Sequence, residues 1–202
     1  MPLTALALNC TLKPSGKPSS TDLLLDQVLE ALQQEGVSGK KVRVADYDIK
    51  PGVTSDEGDG DQWPGLRAQI LASDIVLLGT PIWLGQPSSV CKRVLERMDA
   101  FLGEKDDASR LVSYGIVAGV VVVGNEDGAH HVSAELYQAL NDVGFTLPAN
   151  AVSYWVGEAM ASTDYKDLDE TPEMVASATK ALARNATHLA RLLDQAPYPE
   201  QG

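Results

Sequence analysis

Five apolar runs, partly β-branched, stand out along the chain: Leu3 to Leu8, Val42 to Ala45, Ile75 to Leu78, Ile116 to Val123 and Ala151 to Val156. Each has the length of a strand. Within Ile75–Leu78 and Val120–Val123 apolar and polar residues do not alternate, the pattern of strands covered by helices on both faces, so these runs are expected at the sheet centre. Between the runs, apolar positions return at helical spacing. Leu24, Leu25, Val28, Leu29 and Leu32 mark a helix that Gly36 is placed to end, and Leu66, Ile70 and Leu71 a shorter one after Pro64. Val90, Val94, Met98 and Phe101 form the next apolar face, then Val132, Leu136, Leu140 and Val143 before Gly144, then Val175, Ala178, Leu182, Leu189 and Leu192. Strand and helix in alternation predict parallel strands joined by right-handed crossovers. The expected fold class is α/β: a three-layer sandwich around a five-stranded parallel sheet of order 2-1-3-4-5. It would form a single domain over residues 1–196, with 197–202 as a frayed tail.

In such a sheet, ligands bind beyond the carboxyl ends of the strands, near the point where strand order reverses. The loop after the first strand runs from Asn9 to Thr21. It offers Thr11, Leu12, Lys13, Lys17, Ser19, Ser20 and Thr21 and leads straight into a helix N-terminus, a place suited to a phosphate. Helix capping alone would need only one of those hydroxyls. The loop after the third strand contains Pro81, Ile82, Trp83, Leu84 and Gly85. Trp83 would give a flat wall for a planar heteroaromatic ligand, or a lid over the core. Gly124, Asn125, Glu126, Asp127 and Gly128 come after the fourth strand. They suit backbone approach to a ligand edge, or a turn ahead of an Asp-capped helix.

Charge narrows the field. Sixteen Lys and Arg against 28 Asp and Glu leave the 202-residue chain at −12, which repels nucleic acid and anionic membrane surfaces, so neither is expected as a partner. The N-terminus lacks a signal-peptide pattern, no window reaches the roughly 20 apolar residues of a membrane span, and two cysteines are too few for a disulfide framework. A cytoplasmic, reduced setting is expected. A P-loop is excluded because Thr11 stands where its first Gly would be, and no G-x-G-x-x-G follows the first strand. Cys10 has no Arg within residues 10–21 to hold a phosphate dianion, and reads as a small strand-end residue. His130 and His131 would point apart on a helix, so no metal site is assigned. The acidic stretch Pro51–Gln62 lacks the calcium-loop pattern and reads as a solvated loop. Trp155 suits either the core or the rim of a ligand site.

Taken together, the three loops resemble those of the flavodoxin-like NAD(P)H-dependent FMN reductases. GTPIWLG at 79–85, GNEDG at 124–128 and the Ser/Thr-rich segment 11–21 carry the resemblance, which extends from Leu3 to about Trp155. It implies a flavodoxin-like FMN-binding domain, FMN as cofactor and NADH or NADPH as co-substrate. Thr11, Leu12, Lys13, Ser19, Ser20 and Thr21 would surround the 5′-phosphate. Pro81, Ile82, Trp83, Leu84 and Gly85 would flank the isoalloxazine and ribityl chain, and Gly124, Asn125, Glu126, Asp127 and Gly128 would approach the ring edge. Two departures stand out: the first loop is Pro-rich, and Thr11 replaces the more usual Ser. The implied activity takes hydride from NADH or NADPH and reduces a small quinone, nitro, azo or flavin acceptor. Flavin carries that chemistry, so no catalytic side chain is assigned. The alternative is a flavodoxin-type FMN electron carrier without nicotinamide oxidation activity, although the first loop differs from the short Thr-Gly-Asn-Thr loop of such carriers. The resemblance also implies a homodimer or homotetramer.

Overall fold

The computed structural model describes residues 2–159 and 161–200. Its strands are β1 (Thr4–Asn9), β2 (Ser38–Arg43), β3 (Ile75–Trp83), β4 (Gln86–Pro87), β5 (Val117–Gly124) and β6 (Val152–Val156). Its α-helices are α1 (Ser20–Gln34), α2 (Trp63–Leu71), α3 (Ser89–Met98), α4 (Ala129–Asp142) and α5 (Glu173–Gln195). The parallel strands stand in the order β2-β1-β3-β5-β6, which is the expected 2-1-3-4-5 arrangement. The two-residue β4 folds back antiparallel onto the end of β3, pairing Ile82 with Pro87 and Trp83 with Gln86.

Strand periodicity divides the core. Leu6, Leu8, Val76, Leu78, Val120 and Val122 pack with residues of α2, α3 and α4, while Ala5, Ala7, Ile75, Leu77, Val121 and Val123 pack with α1 and α5. Because both faces are covered, both sets of alternate positions are apolar, which is why the central runs show no polar alternation. Small residues bring α1 close: a Cβ on Gly79 would lie 2.6 Å from the Leu25 side chain.

The second strand corrects an expectation. The apolar run Val42–Ala45 predicted it, but β2 covers Ser38–Arg43, and Val44–Asp46 form a 3-10 turn whose Val44 enters the core. β2 is the edge strand, paired along its length only with β1, so ladder hydrogen bonds rather than apolar side chains define it. The acidic segment 51–62 also differs from a solvated loop. The Asp61 and Arg97 side chains are both fully buried and 2.7 Å apart. Arg97 also donates to the carbonyls of Lys50 and Thr54, with its guanidinium 5.7 Å from the Trp63 ring. Burial acts to raise the Asp61 carboxyl, but Arg97 and three backbone N–H groups outweigh it and hold the acid far below the usual carboxylate range.

In the segment expected to fray, the Tyr198 ring lies 5.2 Å from that of Tyr114, its hydroxyl is 2.9 Å from Thr146 Oγ1, and its carbonyl accepts from Arg110. Positions 201 and 202 of that expectation lie outside the described residues. No helix among the described residues is long and apolar enough to cross a membrane.

Candidate functional site

β1 ends on the buried Asn9, whose side chain shapes the loop leading to α1. Its Oδ1 accepts the Thr11 N–H at 3.1 Å and its Nδ2 donates to Asp22 at 2.6 Å. The chain loops outward and enters α1 at Ser19, whose hydroxyl caps the helix by accepting the Asp22 N–H. One hydroxyl thus fills the structural role, and the others remain. Ser20 Oγ accepts the Lys166 N–H at 3.3 Å, while the Thr11 and Thr21 hydroxyls, on residues 5% and 1% exposed, have no hydrogen-bond partner among the described residues. The N–H groups of Ser20 and Thr21 lie in the first helical turn, where no intrahelical carbonyl reaches them. These groups, the positive end of the α1 dipole and Lys13 converge on one cavity. That is the chemistry of a phosphate subsite.

A carboxylate in the first turn would oppose an anion there, and Asp22 occupies that turn. It turns toward the sheet edge instead, where its Oδ1 lies 2.8 Å from Lys41 Nζ and 2.9 Å from Arg43. Burial acts to raise the Asp22 carboxyl, but Lys41, Arg43 and Asn9 outweigh it and the net direction is downward. Asp22 therefore stays ionised and is locally neutralised behind the helix end.

The far end of the cavity has different chemistry. Pro81, Ile82 and Trp83 come from β3, Val123, Gly124, Asn125 and Glu126 from the end of β5, and Trp155, Asp164 and Tyr165 from β6 and the loop beyond it. Trp83 is half exposed, and the Trp155 and Tyr165 rings lie 5.5 Å apart. Polar bonds hold these loops together. Leu84 N–H donates to Glu126 Oε1 at 2.8 Å, and Asn125 Nδ2 donates to the Ala161 carbonyl at 3.2 Å. Beneath the cavity, Thr80 Oγ1 accepts the Ser88 N–H and Ser88 Oγ donates to the Cys10 carbonyl, joining β3, α3 and β1.

The cavity thus gathers Thr11, Lys13, Ser19, Ser20, Thr21, Pro81, Ile82, Trp83, Gly124, Asn125 and Glu126 from the residues that the sequence pointed to. The other five lie outside its lining. Leu12 is half exposed and borders a separate groove with Val44 and Tyr47. Leu84 has a positive φ of 52° and a side chain 92% exposed. Gly85 and Gly128 meet back to back: a Cβ on Gly128 would come within 3.0 Å of Gly85 Cα. Asp127 accepts from the Gly128 N–H, and Gly128 itself occupies the N-cap of α4, so this helix is not Asp-capped. Asp164 and Tyr165 escape a reading of the sequence, since they sit in a polar connection without a motif. Trp155 serves both the core and the ligand rim, packing against the α1–α5 side while lining the cavity. Cys10 is fully buried, and burial with Cys91 beside it pushes the thiol well up, which removes it as a nucleophile.

Unpartnered hydroxyls and a cation at one end, with flat aromatic walls at the other, fit FMN. Phosphate would sit at the α1 N-terminus and the ring among Trp83, Trp155 and Tyr165. A flavodoxin-like sheet carrying such a cavity above its switch point marks an FMN-binding protein, and the family match makes it an FMN-dependent oxidoreductase. The chain belongs to the NADPH-dependent FMN reductase family, whose sequence profile residues 3–161 match. It is 33% identical over 208 residues to the 8-demethyl-8-aminoriboflavin-5′-phosphate synthase of Streptomyces davaonensis, covering 98% of this chain and 81% of that protein. A crystal structure of RosB with bound 8-demethyl-8-formylriboflavin-5′-phosphate superposes with a TM-score of 0.88 at 33% identity, covering 97% of this chain and 82% of the other. The chain is also 37% identical over 169 residues to the divalent metal cation transporter MntH of Mycobacterium bovis, matching 82% of its own length but only 25% of that protein.

Proposed function

We propose that the protein takes hydride from NADH or NADPH onto FMN and delivers the electrons to a small quinone, nitro, azo or flavin acceptor. Bound FMN would supply the redox chemistry, accepting hydride at its ring and releasing one or two electrons. The residues of the chain bind and orient. Thr11, Thr21, Lys13 and the α1 N–H groups would hold the phosphate. Trp155 and Tyr165 would wall the ring, and Glu126 fixes the Leu84 backbone beside it. The observation that carries the reading is the cavity mouth, where the half-exposed Trp83 and the exposed Leu84 put apolar surface next to the ring end. A second planar molecule, nicotinamide or acceptor, finds a surface to lie on there. Anaerobic mixing of the FMN-loaded protein with NADH or NADPH tests this: rapid bleaching of the flavin is expected, and its absence would leave an electron carrier.

A second reading is favoured by the likeness to the synthase and to RosB, whose named product and bound intermediate are riboflavin 5′-phosphates altered at position 8. Here FMN would be the substrate. Mass spectrometry of the flavin after turnover separates the two: unchanged FMN with nicotinamide consumed supports the reductase, and a changed flavin mass supports modification. The exposed Trp83 and Leu84 also suit burial against a second copy, so a homodimer or homotetramer is part of the proposal. Light scattering on the eluting protein checks it.

A further inference from the structure

The loop between β1 and α1 carries two prolines, Pro14 and Pro18, and they create a structural need. Pro14 and Pro18 contribute no N–H, and each holds the residue before it, Lys13 and Lys17, away from helical geometry. Within residues 11–18 the only backbone–backbone bond among the described residues runs from Lys17 N–H to the Pro14 carbonyl, at a long 3.3 Å. Beyond that bond, Lys13 Nζ donates to the Pro18 carbonyl at 3.2 Å, and the remaining loop carbonyls depend on groups outside the loop. Without such groups these carbonyls would be free to turn toward the cavity, where their negative ends would repel a phosphate.

Arg43, the last residue of edge strand β2, meets this need from behind. Its Nη1 donates to the carbonyls of Lys13, Pro14 and Lys17 at 3.1, 3.2 and 3.3 Å, and two of these are the carbonyls that precede the prolines. Its Nη2 lies 2.9 Å from Asp22 Oδ1 in the first turn of α1, and the side chain is only 8% exposed. One planar guanidinium therefore ties both limbs of the loop to the helix that the loop enters, a task for a rigid fork rather than for a point charge. Asp46 adds an anchor of its own by accepting from both the N–H and the hydroxyl of Ser15.

We infer that Arg43 is a positioning residue for phosphate recognition: without touching the ligand, it gathers the loop carbonyls away from the cavity and holds the loop in the shape that receives a 5′-phosphate. The inference rests on the reading of the cavity as an FMN site and extends it to the edge strand. Because Arg43 acts on the phosphate end only, it should govern FMN affinity while leaving riboflavin, which lacks the phosphate, untouched.

The test measures dissociation constants of FMN and riboflavin, by flavin fluorescence, for the wild type, Arg43→Ala and Arg43→Lys. The wild type should prefer FMN. Arg43→Ala should reduce that preference about tenfold, the scale of a charge-assisted hydrogen bond. Arg43→Lys retains a charge for Asp22 but cannot span three carbonyls, so most of the preference should still be lost, with riboflavin binding and thermal unfolding close to wild type. A wild type that binds both flavins equally would overturn the phosphate reading itself. A wild-type preference that persists in both variants would overturn only the role of Arg43. Equal weakening of both flavins, or failure of both variants to fold, would make Arg43 a residue of the general fold and overturn the inference as well.

Discussion

Thr21 is nearly inaccessible, yet its hydroxyl has no partner among the described residues, while the neighbouring Ser19 already provides the helix cap. Thr21 lines the cavity, so its hydroxyl is available to a ligand there. We propose that this hydroxyl serves a bound phosphate rather than the fold. Replacing Thr21 with Val keeps the shape and removes the hydroxyl. The flavin-free protein should unfold at the same temperature or slightly higher, while FMN should bind roughly tenfold more weakly, the share of one hydrogen bond to a charged group. Thermal unfolding with and without FMN reads both effects. A variant that loses stability but binds FMN as before would show that the hydroxyl serves the helix.

Among the elements, the segment 50–62 depends most on a single contact. It has no regular secondary structure, and its attachment to α3 runs through the Arg97 guanidinium, with Asp61 as the ionic partner. Asp61→Asn would leave a buried cation without its counter-charge, at a cost of about 3 kcal/mol in urea unfolding. FMN affinity should hold, because neither residue lines the cavity; a matching loss of affinity would tie this segment to the site. The same pair shows where the sequence was legible and where it was not. Helices announced themselves through apolar periodicity, and the central strands through unbroken apolar runs, because burial leaves a local pattern. β2 left only a displaced one, the run Val42–Ala45 that overlaps its last two residues, since an edge strand is specified by its ladder to β1. Asp61 resembled its solvated neighbours Asp56 and Asp59, because a partner 36 residues away decides its burial. At the site, the loops after β1, β3 and β5 carry their ligand-facing residues in short local motifs. Asp164 and Tyr165 reach the cavity through distant partners, Asn125 and Ser20 bonding the segment around them and Gln27 accepting from the Tyr165 hydroxyl, and nothing local in the sequence records that.

Across the whole molecule, two electrostatic effects of opposite direction meet as the pH falls. The net charge of −12 destabilises the compact state by self-repulsion, and protonation toward the isoelectric point near 4.5 relieves it. Against this stand carboxyls whose affinity for protons is lower in the folded chain. Asp46 is lowered by its bonds from Ser15, Glu57 by those from Thr54 and Asp106 by Arg110, while Asp22 and Asp61 are lowered by their cations and donors despite burial. A carboxyl lowered in the folded state contributes its full stabilisation above its unfolded pKa, about 3.9 for Asp and 4.3 for Glu, and loses it as the pH falls toward the folded value. The relief of repulsion therefore acts first and the loss of paired carboxylates second. The unfolding temperature should hold or rise between about pH 7 and pH 5, then fall steeply below about pH 4. A series of melts across that range checks the order. A steady decline beginning at neutral pH would mean that groups other than these carboxylates govern acid stability. In Asp61→Asn the acid limb should be shallower than in the wild type, because the group with the largest downward shift no longer titrates.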